Sequence, residues 1–194
     1  MTIDTVQLGH NHERRVVFVG PFGVGKTTAL RAISDIAVVD TDVFTAERHK
    51  ANPEKARTTV GFDYGEIKLD EKQRIALFGL PGQYRFDAMW QTFLPSAVAV
   101  VLWVYGDAPQ AERDLGIWLE VLRRYIAPEV LSVAVTRMTE PVEEEQLEGF
   151  YNVLAQFNPL APLICADPRR PEDVRSAVAM ALSAISVPDL EISA

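Results

Sequence analysis

The chain has 194 residues, of which 48% are hydrophobic and 24% are charged, and its formal net charge is −8. A chain of this size and composition folds as one globular domain with its own core. The negative charge argues against nucleic acid or an anionic membrane as the general partner, so we expect protein partners. The longest apolar stretch falls far short of the roughly 20 residues of a membrane-spanning helix, so we expect no intrinsic membrane segment.

The ends of the chain are polar, and its cysteine content is low. Residues 1–13 contain no basic start followed by an apolar run, so they predict a flexible polar tail and not a secretory signal. Cys165 is the one cysteine of the sequence and has no partner for an internal disulfide, which is typical of a reducing compartment. We therefore predict a cytoplasmic protein whose single domain spans residues 14–188, with a short C-terminal tail at 189–194.

Short apolar runs, too brief for amphipathic helices, predict buried parallel strands. In chain order they are residues 15–19, 75–78, 97–104, 130–135 and 163–165. Residues 62–69 also read as a strand, and the polar turn Asp70-Glu71-Lys72 joins them to the strand at Ile75, which predicts a hairpin. The long polar stretch 39–57 lacks such a pattern and predicts a functional or mobile loop.

Between the strands, apolar residues recur every three or four positions, which predicts helices with one face on a sheet. One such face consists of Leu115, Trp118, Leu119, Leu122 and Ile126, and another of Val174, Ala177, Val178, Ala181, Leu182 and Ile185. The run Pro171-Glu172-Asp173 marks the start of the last helix. The alternation predicts a doubly wound, three-layer α/β/α fold whose sheet has about six strands, mostly parallel, and one antiparallel edge strand.

A phosphate-binding loop follows the first predicted strand directly. Residues 20–28 read Gly-Pro-Phe-Gly-Val-Gly-Lys-Thr-Thr and match the pattern of Gly, four residues, Gly, Lys and Ser or Thr. Main-chain N–H groups, the next helix N-terminus and the Lys26 ammonium attract phosphates there, and the Thr27 hydroxyl is predicted to bind Mg²⁺. Together with the alternation of strands and helices, this motif predicts a P-loop NTPase fold. A chance glycine-rich turn is the alternative. The nucleotide-binding residues predicted here are Gly20, Phe22, Gly23, Val24, Gly25, Lys26, Thr27 and Thr28.

Two further segments resemble the small-GTPase family, and in particular the bacterial branch that includes the gliding-motility polarity GTPases. They are Arg57-Thr58-Thr59-Val60-Gly61-Phe62-Asp63 and Gly79-Leu80-Pro81-Gly82-Gln83, and the similarity extends over residues 15–186. The resemblance implies that Thr59, with Thr58 as the alternative, binds Mg²⁺ and senses the γ-phosphate as an order–disorder switch. A β-prone lead into the hairpin is the structural alternative for both threonines.

The same resemblance implies the catalytic residues. The Gly82 amide would contact the γ-phosphate, and Gln83 would orient the attacking water, since a side-chain amide both donates and accepts hydrogen bonds. A turn that ends the strand is the alternative for this segment. Arg57 resembles the intrinsic arginine that stabilises the transition state in some bacterial members, with a solvated loop arginine as the alternative. Arg48 and Arg85 are weaker candidates for that role.

This chain departs from the family at the metal and at the base. Gly79 stands where most small GTPases carry an aspartate near Mg²⁺, so metal binding would rest on Thr27, Thr59, phosphates and water. Residues 136–139, Thr-Arg-Met-Thr, stand where Asn-Lys-x-Asp normally reads guanine, and Glu140 would substitute only after a one-residue shift. A threonine hydroxyl does not accept both ring donors of guanine. The base-contacting residues that the resemblance implies are Thr136, Arg137, Thr139 and Ala166, the last through its backbone in Cys165-Ala166-Asp167.

The leading hypothesis is a nucleotide-dependent switch that binds a purine nucleoside triphosphate and Mg²⁺, hydrolyses it slowly and changes two loops. GTP and GDP are the favoured ligands, and ATP is not excluded. A pseudo-GTPase scaffold with weak or static nucleotide binding is the alternative, followed by a P-loop kinase. The resemblance also implies regulatory or effector proteins as partners, with a roadblock-type dimer as one candidate.

Overall fold

Strands and helices alternate along the residues that the computed structural model describes, which are 14–40, 61–70, 73–83, 86–139 and 141–183. Three short 3-10 helices, Leu94–Ser96, Pro128–Val130 and Glu144–Gln146, accompany them. The main elements are β1 (Arg14–Val19), α1 (Lys26–Ile33), β2 (Val39–Asp40), β3 (Asp63–Lys68), β4 (Arg74–Gly79), α2 (Asp87–Phe93), β5 (Ala99–Tyr105), α3 (Ala111–Leu122), β6 (Leu131–Thr136), α4 (Glu148–Ala155), β7 (Leu163–Cys165) and α5 (Pro171–Ser183).

The strands form one seven-stranded sheet in the order β2-β3-β4-β1-β5-β6-β7. Strand β3 runs antiparallel to both of its neighbours, and the pairs from β4 to β7 are parallel. The predicted α/β class with a mostly parallel sheet is therefore confirmed. The sheet gains a seventh strand because the two residues of β2, which the sequence placed in a loop, pair with the outer side of β3.

Helices cover both faces of the sheet and bury the apolar residues that the sequence pattern selected. Helices α2, α3 and α4 pack on one face around Trp90 and Trp118, whose ring centroids are 5.4 Å apart. Helices α1 and α5 pack on the other face. The predicted face of α3 is buried throughout, as are Val174, Ala177, Val178 and Ala181 of α5. Ile185 and both predicted tails lie outside the described residues.

The topology gathers the functional segments at one edge of the sheet. Because parallel strands have their carboxyl ends at the same edge, the loops that follow β1, β4, β5, β6 and β7 meet there. The hairpin β3–β4 closes through a hydrogen bond from the Leu69 N–H to the Gln73 carbonyl, and its register places Asp63 opposite Gly79. None of the described helices is long and apolar enough to cross a lipid bilayer.

Candidate functional site

The loop between β1 and α1 has a backbone that only glycine fits at its two ends. Gly20 has φ 133° and Gly25 has φ 111°. A Cβ atom on Gly20 would lie 2.1 Å from the Trp103 carbonyl oxygen, and one on Gly25 would lie 2.6 Å from Cγ of Pro168. Helix α1 begins directly after Gly25, which has no side chain to cap the first-turn N–H groups. Such N–H groups and the dipole of the helix attract an anion at this position.

Lys26 lies inside the concave side of this loop. Its Nζ donates to the carbonyl oxygens of Gly20 and Pro21, both over 2.8 Å. The residue is 9% exposed, and burial lowers its pKa to about 8, an effect that the nearby Asp63 carboxylate partly opposes. The loop thus holds an ammonium group whose charge is poorly solvated, and an anion in the loop would compensate for that lost hydration.

Thr27 and Asp63 place a hydroxyl and a carboxylate oxygen beside the loop. Thr27 Oγ1 donates to Oδ2 of the buried Asp63 over 2.5 Å. A Cβ atom on Gly79 would lie 2.9 Å from that same Oδ2, so the carboxylate fills the space that a side chain at position 79 would take. Asp63 therefore supplies, from the neighbouring strand, the carboxylate whose absence at Gly79 the sequence had indicated. Hydroxyl and carboxylate oxygens suit Mg²⁺.

Asp63 is a candidate functional residue to which the sequence patterns gave no role, although it lies in the segment 57–63. The available signal was an acidic residue at the start of a strand predicted to form a hairpin with the strand that ends at Gly79. Among the described residues, no group of three or more His, Cys, Asp or Glu side chains is arranged to hold a metal ion.

The segment after β4 lies against the phosphate loop. A Cβ atom on Gly82 would be 2.2 Å from the Gly20 carbonyl oxygen and 2.8 Å from the Phe22 nitrogen. The indole N–H of the buried Trp90 donates to the Pro81 carbonyl over 3.1 Å, which anchors the segment to α2. The half-buried Gln83 follows, and its carbonyl accepts the Phe86 N–H over 3.0 Å. The structure thus brings Gly82 to the phosphate loop.

A cavity of about 530 Å³ adjoins the other side of the phosphate loop. It lies between that loop and the segments that follow β6 and β7. Its lining includes the predicted residues Gly23, Val24, Gly25, Thr28, Thr136, Arg137 and Ala166, together with Cys165, Asp167, Pro168, Arg169, Arg170 and Asp173. Both its size and its position suit a nucleoside next to bound phosphates.

Two predicted base contacts have a different arrangement from the expected one. Thr139 is exposed and does not line the cavity. Ala166 lines it, but its N–H donates over 2.9 Å to the Val135 carbonyl and so extends the pairing of β7 with β6. The sequence pattern identified the correct loop, yet it did not show that the strand ladder uses this amide.

Arg137 connects the loop after β6 to the phosphate loop. It has φ 62°, and its guanidinium carbon lies 4.4 Å from the centroid of the Tyr105 ring. The Tyr105 hydroxyl in turn donates to the Phe22 carbonyl oxygen over 2.9 Å. These contacts join the loop after β6 to the phosphate loop through the Tyr105 side chain.

Several sequence-predicted residues lie outside the described residues: Arg48, Arg57, Thr58, Thr59, Arg85 and Glu140. Their assigned roles stay predictions.

Comparisons with known proteins agree with this architecture. No protein-family model matches the chain. Ras-related protein Rab-30 of Homo sapiens, Bos taurus and Mus musculus is 24% identical over 136 residues, which are 69% of this chain and 60% of each relative. The chain thus spans less than two thirds of the length of these curated relatives. The crystal structure of the bacterial selenocysteine-specific elongation factor EF-Sec superposes with a TM-score of 0.60 at 18% identity and covers 89% of this chain and 29% of that one. The chain has a small-GTPase-like α/β fold.

Proposed function

We propose that this protein binds a purine nucleoside triphosphate with Mg²⁺ and hydrolyses it slowly as a small-GTPase-like switch. One observation carries the proposal: the buried Lys26 ammonium, the Thr27–Asp63 oxygen pair and the cavity of about 530 Å³ lie around one phosphate loop. The likeness to a Ras-related protein supports GTP and GDP as the ligands. From the resemblance of segments 57–63 and 79–83, we further propose that the chain belongs to the bacterial branch that includes the gliding-motility polarity GTPases.

Thr27 and Asp63 would hold the metal, and the remaining ligands would be phosphate oxygens and water, as Mg²⁺ prefers. When bound, Mg²⁺ neutralises charge on the phosphates. Thr59 would complete the site when the γ-phosphate is present, and Arg57 would stabilise charge in the transition state. The Gly82 amide and Gln83 would act from the segment that already lies on the loop.

The proposed readout is protein binding to the loops around the phosphates. The Phe22 side chain is 78% exposed in the middle of the phosphate loop, next to Gly82. An exposed aromatic ring at this position offers an apolar contact that depends on the state of both segments. Regulatory or effector proteins, with a roadblock-type dimer as a candidate, are the proposed partners.

Calorimetry on the purified protein tests the proposal. Titration with GTP, GDP and ATP, each with Mg²⁺ and with EDTA, should show metal-dependent uptake of a triphosphate. The absence of any uptake at about millimolar ligand, which corresponds to roughly −4 kcal/mol, would refute the phosphate-site assignment. Uptake without turnover, even with candidate partners, would favour the pseudo-GTPase scaffold, which the unusual residues 136–139 also support.

Replacing Gln83 with alanine should lower the hydrolysis rate by about tenfold or more and leave triphosphate affinity nearly unchanged, because a water-positioning group acts in the transition state. Single-turnover phosphate release and calorimetry measure the two effects separately. Gln91→Ala is the matched control, since Gln91 is an exposed residue of α2 whose side chain bonds to Asp87. A normal rate in the Gln83 variant would remove this residue from catalysis.

The lowered pKa of Lys26 predicts a pH dependence of binding. The group loses its proton near pH 8 in the free protein, and a bound polyphosphate would favour the charged form. Above that pH, binding must therefore take up a proton, and we expect affinity to fall about tenfold between about pH 7 and about pH 9. Calorimetry in buffers of different ionisation enthalpy measures the proton uptake.

Lys26→Arg is the control for this pH dependence, because a guanidinium stays charged throughout the range. Its triphosphate affinity should be nearly constant over the same interval, whatever its absolute value. An equally steep fall in the arginine variant would assign the pH dependence to another group.

A further inference from the structure

Two carboxylates with different partners line the cavity of about 530 Å³ beside the phosphate loop. Of the described residues that line it, Asp167 and Asp173 are the acidic ones. Oδ2 of Asp173 accepts the Asp167 N–H over 2.9 Å and so fixes the loop at the start of α5. The Asp167 carboxylate instead accepts the Arg169 guanidinium, over 2.9 Å from Nε to Oδ1 and 2.6 Å from Nη2 to Oδ2.

The guanidinium that occupies Asp167 has the donor pattern of guanine. Two roughly parallel N–H groups of Arg169 point at the two oxygens of one carboxylate. The N1–H and the 2-amino group of guanine form the same two-donor edge. Adenine has an acceptor, N1, at the corresponding position, which a carboxylate repels. Arg169 therefore makes with Asp167 the type of contact that only one of the two purines can make.

This contact is able to exchange. The Arg169 side chain is 80% exposed and that of Asp167 is 22% exposed. Because the guanidinium is in contact with water, it is rehydrated when it leaves, and a base with the same two donors can replace it at the carboxylate. Arg169 also holds the pKa of Asp167 at about 2, and without that partner an aspartate is still ionised at neutral pH. The Asp167 carboxylate is thus ionised and able to accept hydrogen bonds both with and without Arg169 as its partner.

We infer that Asp167 reads guanine in this protein, in place of the aspartate that is absent from residues 136–139, and that Arg169 occupies the carboxylate until the base displaces it. The inference rests on the proposed function, since it requires a nucleotide in the cavity. It assigns base selection to the loop after β7 and not to the loop after β6. In the loop after β7 the Ala166 N–H is not available to the base, because it donates to the Val135 carbonyl.

Two substitutions with opposite expected effects test this assignment. Asp167→Asn should lower GTP affinity by about tenfold or more, because the amide N–H faces a donor on the base. The same variant should gain affinity for XTP, whose C2 carbonyl accepts that N–H, and should bind ATP as the wild type does. Arg169→Ala should raise GTP affinity several-fold, as it removes the competitor, and leave ATP affinity unchanged.

The asparagine variant keeps a side-chain oxygen for the Arg169 backbone N–H, which bonds to Oδ1 in the wild type, so the loop is expected to fold normally. Thermal unfolding checks this. Competition titrations of GTP, ATP and XTP with Mg²⁺ give the affinities. A purely structural role for Asp167 would weaken all three nucleotides together and would overturn the inference.

The remaining outcomes separate this inference from the proposed function. Equal affinity of the wild type for GTP and ATP would refute the reading of guanine by Asp167 and leave triphosphate binding established. Loss of the GTP preference in Glu140→Gln, with Asp167→Asn unaffected, would assign base selection to Glu140 instead. Failure of the wild type to bind any of the three nucleotides would refute the proposed function itself.

Discussion

Replacement of Lys26 with alanine is expected to weaken triphosphate binding by about 100-fold or more, because a charge-assisted contact in a poorly hydrated site is lost. Lys26 is 9% exposed, and its ammonium group donates to two loop carbonyls, each over 2.8 Å. A phosphate in the loop would take over these donors and restore the solvation that burial removed. The variant loses both the charge and the donors at the centre of the anion site.

Calorimetry with Mg²⁺ and GTP measures the loss in this variant. Lys68→Ala is the matched control, because Lys68 is exposed at the far end of β3 and the change in net charge is the same. The control should bind within about twofold of the wild type, since the interaction of a distant exposed charge is screened by salt. Equal affinities of the Lys26 variant and the wild type would show that the loop does not bind the triphosphate.

Local sequence patterns were sufficient to predict the scaffold. The five apolar runs and the hairpin correspond to β1 and β3–β7 within a few residues. A central strand that is buried on both faces must be apolar along its length, whereas the edge strand β7 is half-buried. The phosphate loop was also predictable, since the glycines, the lysine and the start of α1 are consecutive in sequence. Its glycine backbone and the folded-back Lys26 agree with that reading.

Features that depend on strand pairing were not predictable in the same way. The two residues Val39–Asp40 have no strand pattern of their own, and they become β2 only by pairing with β3. The Ala166 N–H donates to a carbonyl of β6 because of the register between β6 and β7. Both facts follow from contacts between segments far apart in the chain, which composition and periodicity do not encode.

The proposed metal site shows the same limitation most clearly. Position 79 carries glycine, and the sequence alone indicated a missing carboxylate. The antiparallel register of β3 and β4 places Asp63 opposite Gly79, and the carboxylate then reaches the Thr27 hydroxyl from the adjacent strand. Asp63 and Gly79 are 16 positions apart in the sequence, and the carboxylate of the first occupies the space that a side chain at the second would otherwise fill.

Removal of the Asp63 carboxylate should therefore weaken the Mg²⁺ dependence of binding. We expect Asp63→Asn to lower metal affinity in the nucleotide complex by about 10- to 100-fold, the usual effect of losing a metal-site carboxylate or its support. The amide oxygen of the asparagine can still accept the Thr27 hydroxyl, so the fold and metal-free nucleotide binding should be retained. Titration of the nucleotide complex with Mg²⁺ measures the shift.

The register also predicts a rescue. Gly79→Asp alone should be destabilising, because its Cβ would lie 2.9 Å from Oδ2 and 3.1 Å from Cβ of Asp63. In the double variant Asp63→Gly, Gly79→Asp, those atoms are gone and a carboxylate again lies beside Thr27 from the other strand. We expect this variant to recover at least about tenfold of the lost Mg²⁺ affinity. If the double variant folds but binds metal no better than Asp63→Asn, the carboxylate at this position is not a metal ligand, and its role is limited to holding Thr27.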